Sequence, residues 1–258
     1  MAGNIKIHGV ICRTMLTILT FSSLFDQAHA AVDIFTVPDD PATAKKHFTG
    51  SVEGSYSHQS GNSRTSTLSA DSTLTWFRSS NAYSTWLEGY NYSTNDIRSS
   101  EKYQAGVRAR HNLDAQNFLF GQTSWLSDRF NGYRGRYTGV IGYGRQVFSG
   151  PVHTLRLEAG PGIRHDRFTD ERAETRSLAY GALSYSYKLT ESASFIQGGS
   201  LLATNDTTVN SETGIKVDMS KHFALKVTYN YTHNTHPPHS DPAKTDTKTQ
   251  ITLVYNLQ

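Results

Sequence analysis

The chain is poor in cysteine and has no long hydrophobic run beyond its first residues. Its single cysteine, Cys12, lies within the first thirty of 258 positions. Without that segment the protein has no disulfide, no thiol nucleophile and no thiolate metal ligand. No apolar segment of about 18 or more residues follows position 30, which excludes a membrane-spanning helix. The net charge of +3, with no long basic run, argues against nucleic acid as a partner.

The first thirty residues have the parts of a secretory signal peptide. A positively charged start precedes the apolar run Met15–Phe25, and Ala28-His29-Ala30 has the small-x-small form of a cleavage site. We therefore expect export and cleavage near Ala30/Ala31. The expected organisation is a signal peptide at 1–30, a periplasmic N-terminal extension at 31–46 and a β-barrel at 47–258.

From residue 47 onward, apolar and polar residues alternate. In "HFALKVTYNY", residues 222–231, Phe223, Leu225, Val227 and Tyr229 share one face, and polar residues occupy most of the other. A period of two is typical of a β-strand with one apolar and one polar face. Twelve such segments are predicted, at 47–58, 65–78, 82–92, 99–111, 117–127, 133–148, 152–165, 175–189, 193–203, 207–219, 222–231 and 245–257.

The lengths of these segments and of their connections favour a membrane barrel. The segments are longer than the five or six residues usual in soluble domains and match the ~9–11 residues of a tilted membrane-crossing strand. Every second connection is short, whereas the alternate connections include the longest, which is typical of outer-membrane barrels. The fold prediction is all-β, an antiparallel transmembrane β-barrel of about twelve strands, closed because an open edge in lipid leaves backbone groups unpaired.

The polar face is too charged to be a buried core, so we predict that it lines the lumen. Arginine outnumbers carboxylate among the charges assigned to this face, and an open pore would then favour anions. The predicted lumen-lining charges are Arg108, Arg110, Arg136, Arg156, Glu158, Arg164, Glu212, Lys216, Asp218 and Lys226.

Five segments, taken in order, resemble the YdiY-like family of salt-induced outer-membrane proteins. They are "SGNSRTSTLS", "YQAGVRARHNL", "SDRFNGYRGRYTGVIGYG", "LRLEAGPGIR" and "TDTKTQITLVYNL", and the resemblance covers most of residues 47–257. The resemblance implies a barrel in the outer membrane and no established activity. One departure is the C-terminus, where Leu257 and Gln258 stand in place of the terminal aromatic residue usual in such barrels.

His58 and Ser60 are the candidate catalytic pair. Outer-membrane lipid hydrolases place a His-x-Ser pair on the lipid-facing side of a strand, and a histidine beside a hydroxyl is the minimum for an activated serine. Asn62 has the phase to orient the imidazole. The alternative interpretation is the end of a strand running into the polar turn "SGN", and we favour this alternative.

The last long connection carries a weak metal-binding candidate made of His233, His236, His239 and Asp241. Pro237 and Pro238 prevent a helix there, so chelation would depend on an irregular loop. We expect a solvated loop and no metal. The glycines of "GYGR" and "GPG" are interpreted as relief for a strongly bent strand, and no cofactor is expected.

Three functions remain open: a closed structural barrel without catalytic activity, a narrow anion- or sugar-acid-selective channel, and a lipid hydrolase using His58 and Ser60. The expected location is the outer membrane of a Gram-negative bacterium. The expected partners are outer-membrane lipids, lipopolysaccharide, and the barrel-assembly machinery and periplasmic chaperones during biogenesis. No nucleic acid is expected, and the barrel is expected to be a monomer.

Overall fold

The computed structural model describes residues 39–59, 65–94, 97–130, 132–235 and 245–257. Within these ranges the regular structure is entirely β-strand. The strands are β1 Phe48–Gln59, β2 Thr65–Arg78, β3 Asn81–Thr94, β4 Ile97–Asn112, β5 Asn117–Asp128, β6 Tyr133–Ser149, β7 His153–Phe168, β8 Ala173–Lys188, β9 Ala193–Ala203, β10 Thr207–Asp218, β11 Phe223–Asn234 and β12 Thr245–Leu257. No helix in these ranges is long and apolar enough to cross a membrane.

The twelve strands form one closed antiparallel barrel in which each strand pairs with its sequence neighbours and β12 returns to β1. The strands have 11 to 17 residues. The prediction of a closed antiparallel barrel is confirmed. The predicted strand boundaries differ from the observed ones by up to three residues, because several strands extend further than their clean alternation.

The outer face of the sheet is apolar and exposed. Leu68, Leu87, Ile141 and Ile251 are each more than half exposed. Their neighbours in sequence point inward, because successive side chains of a strand lie on opposite faces. The barrel is therefore apolar outside and polar inside, which is the reverse of a soluble protein.

The two ends of the barrel differ. We call the end at which β1 begins and β12 ends the turn end, and the opposite end the loop end. Aromatic rings pair at the turn end: Phe48 lies 5.4 Å from Trp76, and Phe223 lies 5.1 Å from Tyr255, measured between ring centroids. Aromatic girdles at strand ends are typical of barrels that contact a membrane interface.

The connections are less asymmetric than the sequence predicts. The turn end has connections at 79–80, 113–116, 150–152, 189–192 and 219–222, and the loop end has 60–64, 95–96, 129–132, 169–172, 204–206 and 235–244. Only 60–64 and 235–244 exceed the turn-end connections in length. One reason is that β7 and β8 remain paired as far as Arg167 and Ala173, which shortens their connection to residues 169–172.

The closure between β1 and β12 is the shortest strand pairing of the barrel. Its register runs from Gly50 opposite Leu257 to Gly54 opposite Leu253, whereas β1 pairs with β2 over its whole length. The loop-end half of β1 therefore lacks ladder pairing with β12 within the described strands. At the turn end, Leu257 packs over Gly50, where an added Cβ would lie 3.3 Å from its Cδ1.

Candidate functional site: the charged lumen

Three arginines on two strands converge on one carboxylate inside the barrel. Arg108 Nε donates to Asp39 Oδ2 at 2.9 Å, Arg110 Nη1 donates to Asp39 Oδ1 at 3.0 Å, and Arg156 Nη1 donates to the same Oδ1. The side chains of these four residues are between 1% and 8% exposed. We call Arg108, Arg110 and Arg156 the arginine cradle.

Glu158 binds two arginines of the cradle, Arg108 and Arg156. Arg108 donates to both of its oxygens, at 3.1 and 2.7 Å, and Arg156 Nε lies 3.0 Å from its Oε1. Bidentate contacts of this kind are strong and directional. Glu158 therefore holds Arg108 and Arg156 in position whether or not another anion occupies the cradle.

Two phenylalanine rings on β5 stack against two arginines of the cradle. The guanidinium carbon of Arg110 lies 3.8 Å from the centroid of Phe118, and that of Arg108 lies 4.5 Å from the centroid of Phe120. Stacking on an aromatic face attracts a guanidinium and keeps it planar. The rings begin an inward apolar cluster of Phe118, Phe120, Val140, Leu178, Tyr180 and Leu202.

Glycines make room for these rings. A Cβ added to Gly144 would lie 2.1 Å from the Phe118 ring, and one added to Gly142 would lie 2.6 Å from the Phe120 ring. A Cβ on Gly160 would lie 2.1 Å from the carbonyl oxygen of Ile141. The glycines of "GYGR" and "GPG" therefore permit side-chain packing in the lumen and close backbone approach, in addition to any bend.

The chain before β1 supplies the anions of the cradle. Asp40 follows Asp39, and its Oδ1 lies 3.1 Å from Arg110 Nη2 and accepts a bond from Asn112 Nδ2 at 2.8 Å. The same Oδ1 accepts a bond from Ala42 N at 3.1 Å, which forms a tight turn through Pro41. We call residues 39–46 the lumen segment. Within the predicted extension at 31–46, Asp39 and Asp40 contact inward-facing arginines of β4.

A second ion network lies at the loop end. Arg164 bonds both Asp166 and Asp206, at 3.0 and 2.7 Å, and Arg136 donates to Asp166 at 2.7 Å. Arg176 also donates to Asp206, at 2.5 Å. Burial alone would raise the pKa of Asp206, but hydrogen bonds from Thr204 and Arg164 and the charges of both arginines lower it to about 2.

The side of the lumen lined by β1, β2, β3, β11 and Lys102 of β4 is more open. Lys102 bonds Glu88 at 3.0 Å, and Lys226 bonds Glu53 at 2.6 Å. The carboxylates Glu88 and Glu53 are 27% and 22% exposed, far more than those of the cradle. We call this side, with Asp71, the polar wall. The lumen therefore has a filled half and a more accessible half.

The predicted lumen charges occupy inward positions in different surroundings. Arg108, Arg110, Arg156 and Glu158 meet in the cradle, Arg136 and Arg164 lie in the loop-end network, and Glu212 and Lys226 face the polar wall. Lys216 and Asp218 form a half-exposed pair at the turn end, 3.5 Å apart.

The other candidates lie mostly outside the described residues. Ser60 and Asn62 are outside them, and His58 is a residue of β1 whose backbone pairs with Ser66. His236, His239 and Asp241 are also outside them. His233 Nδ1 lies 2.8 Å from Thr245 Oγ1. Neither the catalytic pair nor the metal candidate is therefore assembled by the described part of the chain.

Most carboxylate partners of the lumen arginines and lysines were not predicted from the sequence. For those on strands, phase could have found them, since Glu53 shares its parity with the polar residues Ser51 and Ser55. For Asp39 there was no signal, because it precedes the first strand and lies 69 positions from Arg108. The missed charges are Asp39, Asp40, Glu53, Asp71, Glu88, Lys102, Asp166, Arg176, Asp206 and Lys248.

A closed antiparallel barrel with an apolar exterior and a charged interior has the architecture of the outer-membrane class. The fold is similar to the translocator domain of autotransporter NalP from Neisseria meningitidis, with a TM-score of 0.50 and 10% identity over 84% of this chain and 90% of that one. The NanC porin aligns with a TM-score of 0.47 and 10% identity over 80% of this chain and 97% of that one. At such identity the likeness concerns the fold alone.

The chain belongs to the family described as "Protein of unknown function, DUF481", whose model matches residues 52–257. It is also 48% identical to the uncharacterized protein YdiY of Escherichia coli (strain K12) over 242 residues, which cover 93% of this chain and 96% of YdiY. The resemblance noted in the sequence is thus confirmed.

Proposed function

We propose that this protein is an integral outer-membrane barrel of a Gram-negative bacterium whose lumen is closed by its own side chains and lumen segment, without catalytic activity. The apolar outer face and aromatic girdle support contact with lipid, since hydrocarbon is the environment that tolerates such a surface. In this proposal it contacts lipopolysaccharide and phospholipid, uses the barrel-assembly machinery and periplasmic chaperones for insertion, and functions as a monomer.

The observation that carries closure is the placement of Asp39 among three arginines. The three cradle arginines contribute three positive charges, and Asp39, Asp40 and Glu158 contribute three negative charges, so these six side chains are together neutral. A buried charge without a partner costs several kcal/mol, on the order of 3–5 when one partner is removed. The segment therefore satisfies an electrostatic requirement while it occupies the lumen.

Planar-bilayer conductance tests closure. The wild-type protein is expected to give no stable current steps, whereas the Asp39→Ala/Asp40→Ala variant is expected to give discrete steps. The matched control is Asp170→Ala/Glu191→Ala, which removes two exposed carboxylates and should remain silent. Regular current steps from the wild type would refute the closed lumen.

Membrane insertion has its own test. The folded barrel in detergent should migrate faster on a gel before boiling than after it, because closed barrels resist unfolding by the gel detergent. Signal-free protein that stays folded and monomeric in buffer without detergent would contradict the membrane assignment.

A narrow channel along the polar wall is a second candidate, favoured by the greater exposure of Glu53 and Glu88. Sequence analysis predicted anion preference from the arginine surplus. In the structure the cradle arginines face carboxylates, and the accessible side pairs carboxylates with Lys102 and Lys226. We therefore expect any residual current to show a small reversal potential in a potassium chloride gradient; a strong anion preference would restore the original prediction.

A further inference from the structure

We propose that the arginine cradle is a binding site for short dicarboxylates, which Asp39 and Asp40 occupy as a tethered internal ligand. This inference rests on the proposed closed barrel, since it assigns the chemistry of the group that closes it. The site would become available from the turn end when the lumen segment leaves.

The cradle is built independently of its present occupant. Arg108 and Arg156 are held by Glu158, and Arg108 also donates to Gln122 Oε1 at 2.9 Å. Arg110 Nε donates to Asn112 Oδ1 at 2.8 Å. Because these contacts come from strands of the barrel, the donors remain oriented when the lumen segment is absent. Preorganised donors of this kind lower the cost of binding an anion.

The charge count requires an anion. Removing Asp39 and Asp40 takes away two of the three carboxylate charges described at the cradle, and Glu158 retains the third. Arginine stays protonated in proteins, so the group cannot lose its charge by titration. The buried group therefore loses two negative charges, and a dianion restores both.

The contacts point to two linked carboxylates. Asp39 takes donors from all three arginines, whereas Asp40 takes Arg110 Nη2 and Asn112 Nδ2. One guanidinium, that of Arg110, thus bridges two carboxylates through its two terminal nitrogens. Planar guanidinium groups recognise carboxylates by such paired contacts. A short dicarboxylate can make the same contacts, while a monocarboxylate leaves the Asp40 position empty.

Because Asp39 and Asp40 are covalently tethered, a free dicarboxylate is expected to compete poorly with them in the wild type. A covalently linked carboxylate has an effective concentration in the millimolar range or above. External dicarboxylate must exceed that concentration to displace the segment. Removing both aspartates eliminates the competitor and leaves the donors in place.

The test is binding of sodium succinate and glutarate to detergent-folded protein by calorimetry, at constant ionic strength. Asp39→Ala/Asp40→Ala is expected to bind succinate at least tenfold more tightly than the wild type, and more tightly than it binds acetate. Asp170→Ala/Glu191→Ala should resemble the wild type. Equal affinity in the aspartate variant and the wild type, or no preference over acetate, would overturn the proposal.

Folding of the variant provides a second readout. If Asp39→Ala/Asp40→Ala folds poorly, succinate in the refolding buffer should restore the fast-migrating form and neutral succinamide should not. A failure of succinate to rescue counts against the site. Conductance distinguishes failure of the two proposals. Current through the wild type refutes the closed lumen alone. A non-conducting wild type, together with an Asp39→Ala/Asp40→Ala variant that does not bind succinate, refutes the dicarboxylate site alone.

Discussion

Replacing Glu158 by glutamine removes a buried negative charge and leaves the size of the side chain nearly unchanged. Glu158 holds Arg108 through two hydrogen bonds at 3.1 and 2.7 Å and Arg156 through one contact at 3.0 Å. All three side chains are at most 8% exposed, so solvent screening is weak. Breaking a buried pair by removing one partner costs about 3–5 kcal/mol. Because glutamine keeps one oxygen acceptor, we expect the free energy of unfolding to fall by about 3 kcal/mol.

The exposed pair of Asp170 and Arg172 provides the control. Its contact is as short, at 2.7 Å, but its side chains are 51% and 71% exposed. Exposed pairs contribute little because water screens them, so Asp170→Asn should lower the free energy of unfolding much less than Glu158→Gln. Urea titration in detergent, followed by tryptophan fluorescence, gives both values. Equal losses in the two variants would show that lumen charges are as well screened as surface charges.

Three further outcomes are expected. Gly144→Ala should destabilise the barrel by about 1–3 kcal/mol in the same titration, since its Cβ would overlap Phe118. Between pH 4 and about 2, the wild type should lose stability more steeply than Asp206→Asn. The reason is that the pKa of Asp206 is lowered to about 2 in the folded protein. Ionised Asp206 therefore contributes its full stabilisation above the ordinary pKa of an aspartate, and this stabilisation is lost as the pH falls toward about 2. Tyr56→Cys with Ile251→Cys should form little disulfide under mild oxidation, because the β1–β12 pairing ends before Tyr56.

Matched control variants test the predictions for Gly144→Ala and for the Tyr56→Cys/Ile251→Cys cross-link. Gly181→Ala has no heavy atom closer than 4.0 Å to its new Cβ and should be nearly neutral; a comparable loss there would contradict the packing argument. Gly54→Cys with Leu253→Cys lies within the paired register and should cross-link readily. Rapid cross-linking at Tyr56 and Ile251 would instead show a seam that pairs along its full length.

The strands and their closure were predictable because alternation is a local signal. Contact with the membrane favours apolar side chains on the outer face of a strand and polar ones on the inner face. Strand β11 follows this pattern, with Phe223, Leu225 and Val227 outward and Lys226 inward. On β5 the rule fails: Phe118 and Phe120 are inward and buried, while Leu119 is outward. Because Phe118, Leu119 and Phe120 put apolar side chains on both faces, apolar and polar residues do not alternate in this part of the sequence.

The cradle was only half predictable. The phase of β4 and β7 places Arg108, Arg110 and Arg156 inward, but it does not say which anion they meet. Asp39 comes from a segment without alternation, and its contact with Arg156 joins positions 117 residues apart. A pairing of this kind depends on the closed three-dimensional lumen, and one sequence contains no local signal for it.

The filled and open halves of the lumen follow from one physical constraint. A twelve-stranded barrel encloses more space than ordinary side chains fill, because its diameter grows with strand number. Here arginines stacked on phenylalanines fill the space beside β4 to β8, and glycines of β6 let the rings approach. On the polar-wall side, Lys248 Nζ lies 4.4 Å from the centroid of the Tyr90 ring, so a lysine takes the place of the stacked arginines. The short β1–β12 seam borders that wall through Glu53, so the more exposed side of the lumen and the shortest strand pairing coincide. We infer that opening of this barrel begins at the seam, with the cradle half as the last part to separate.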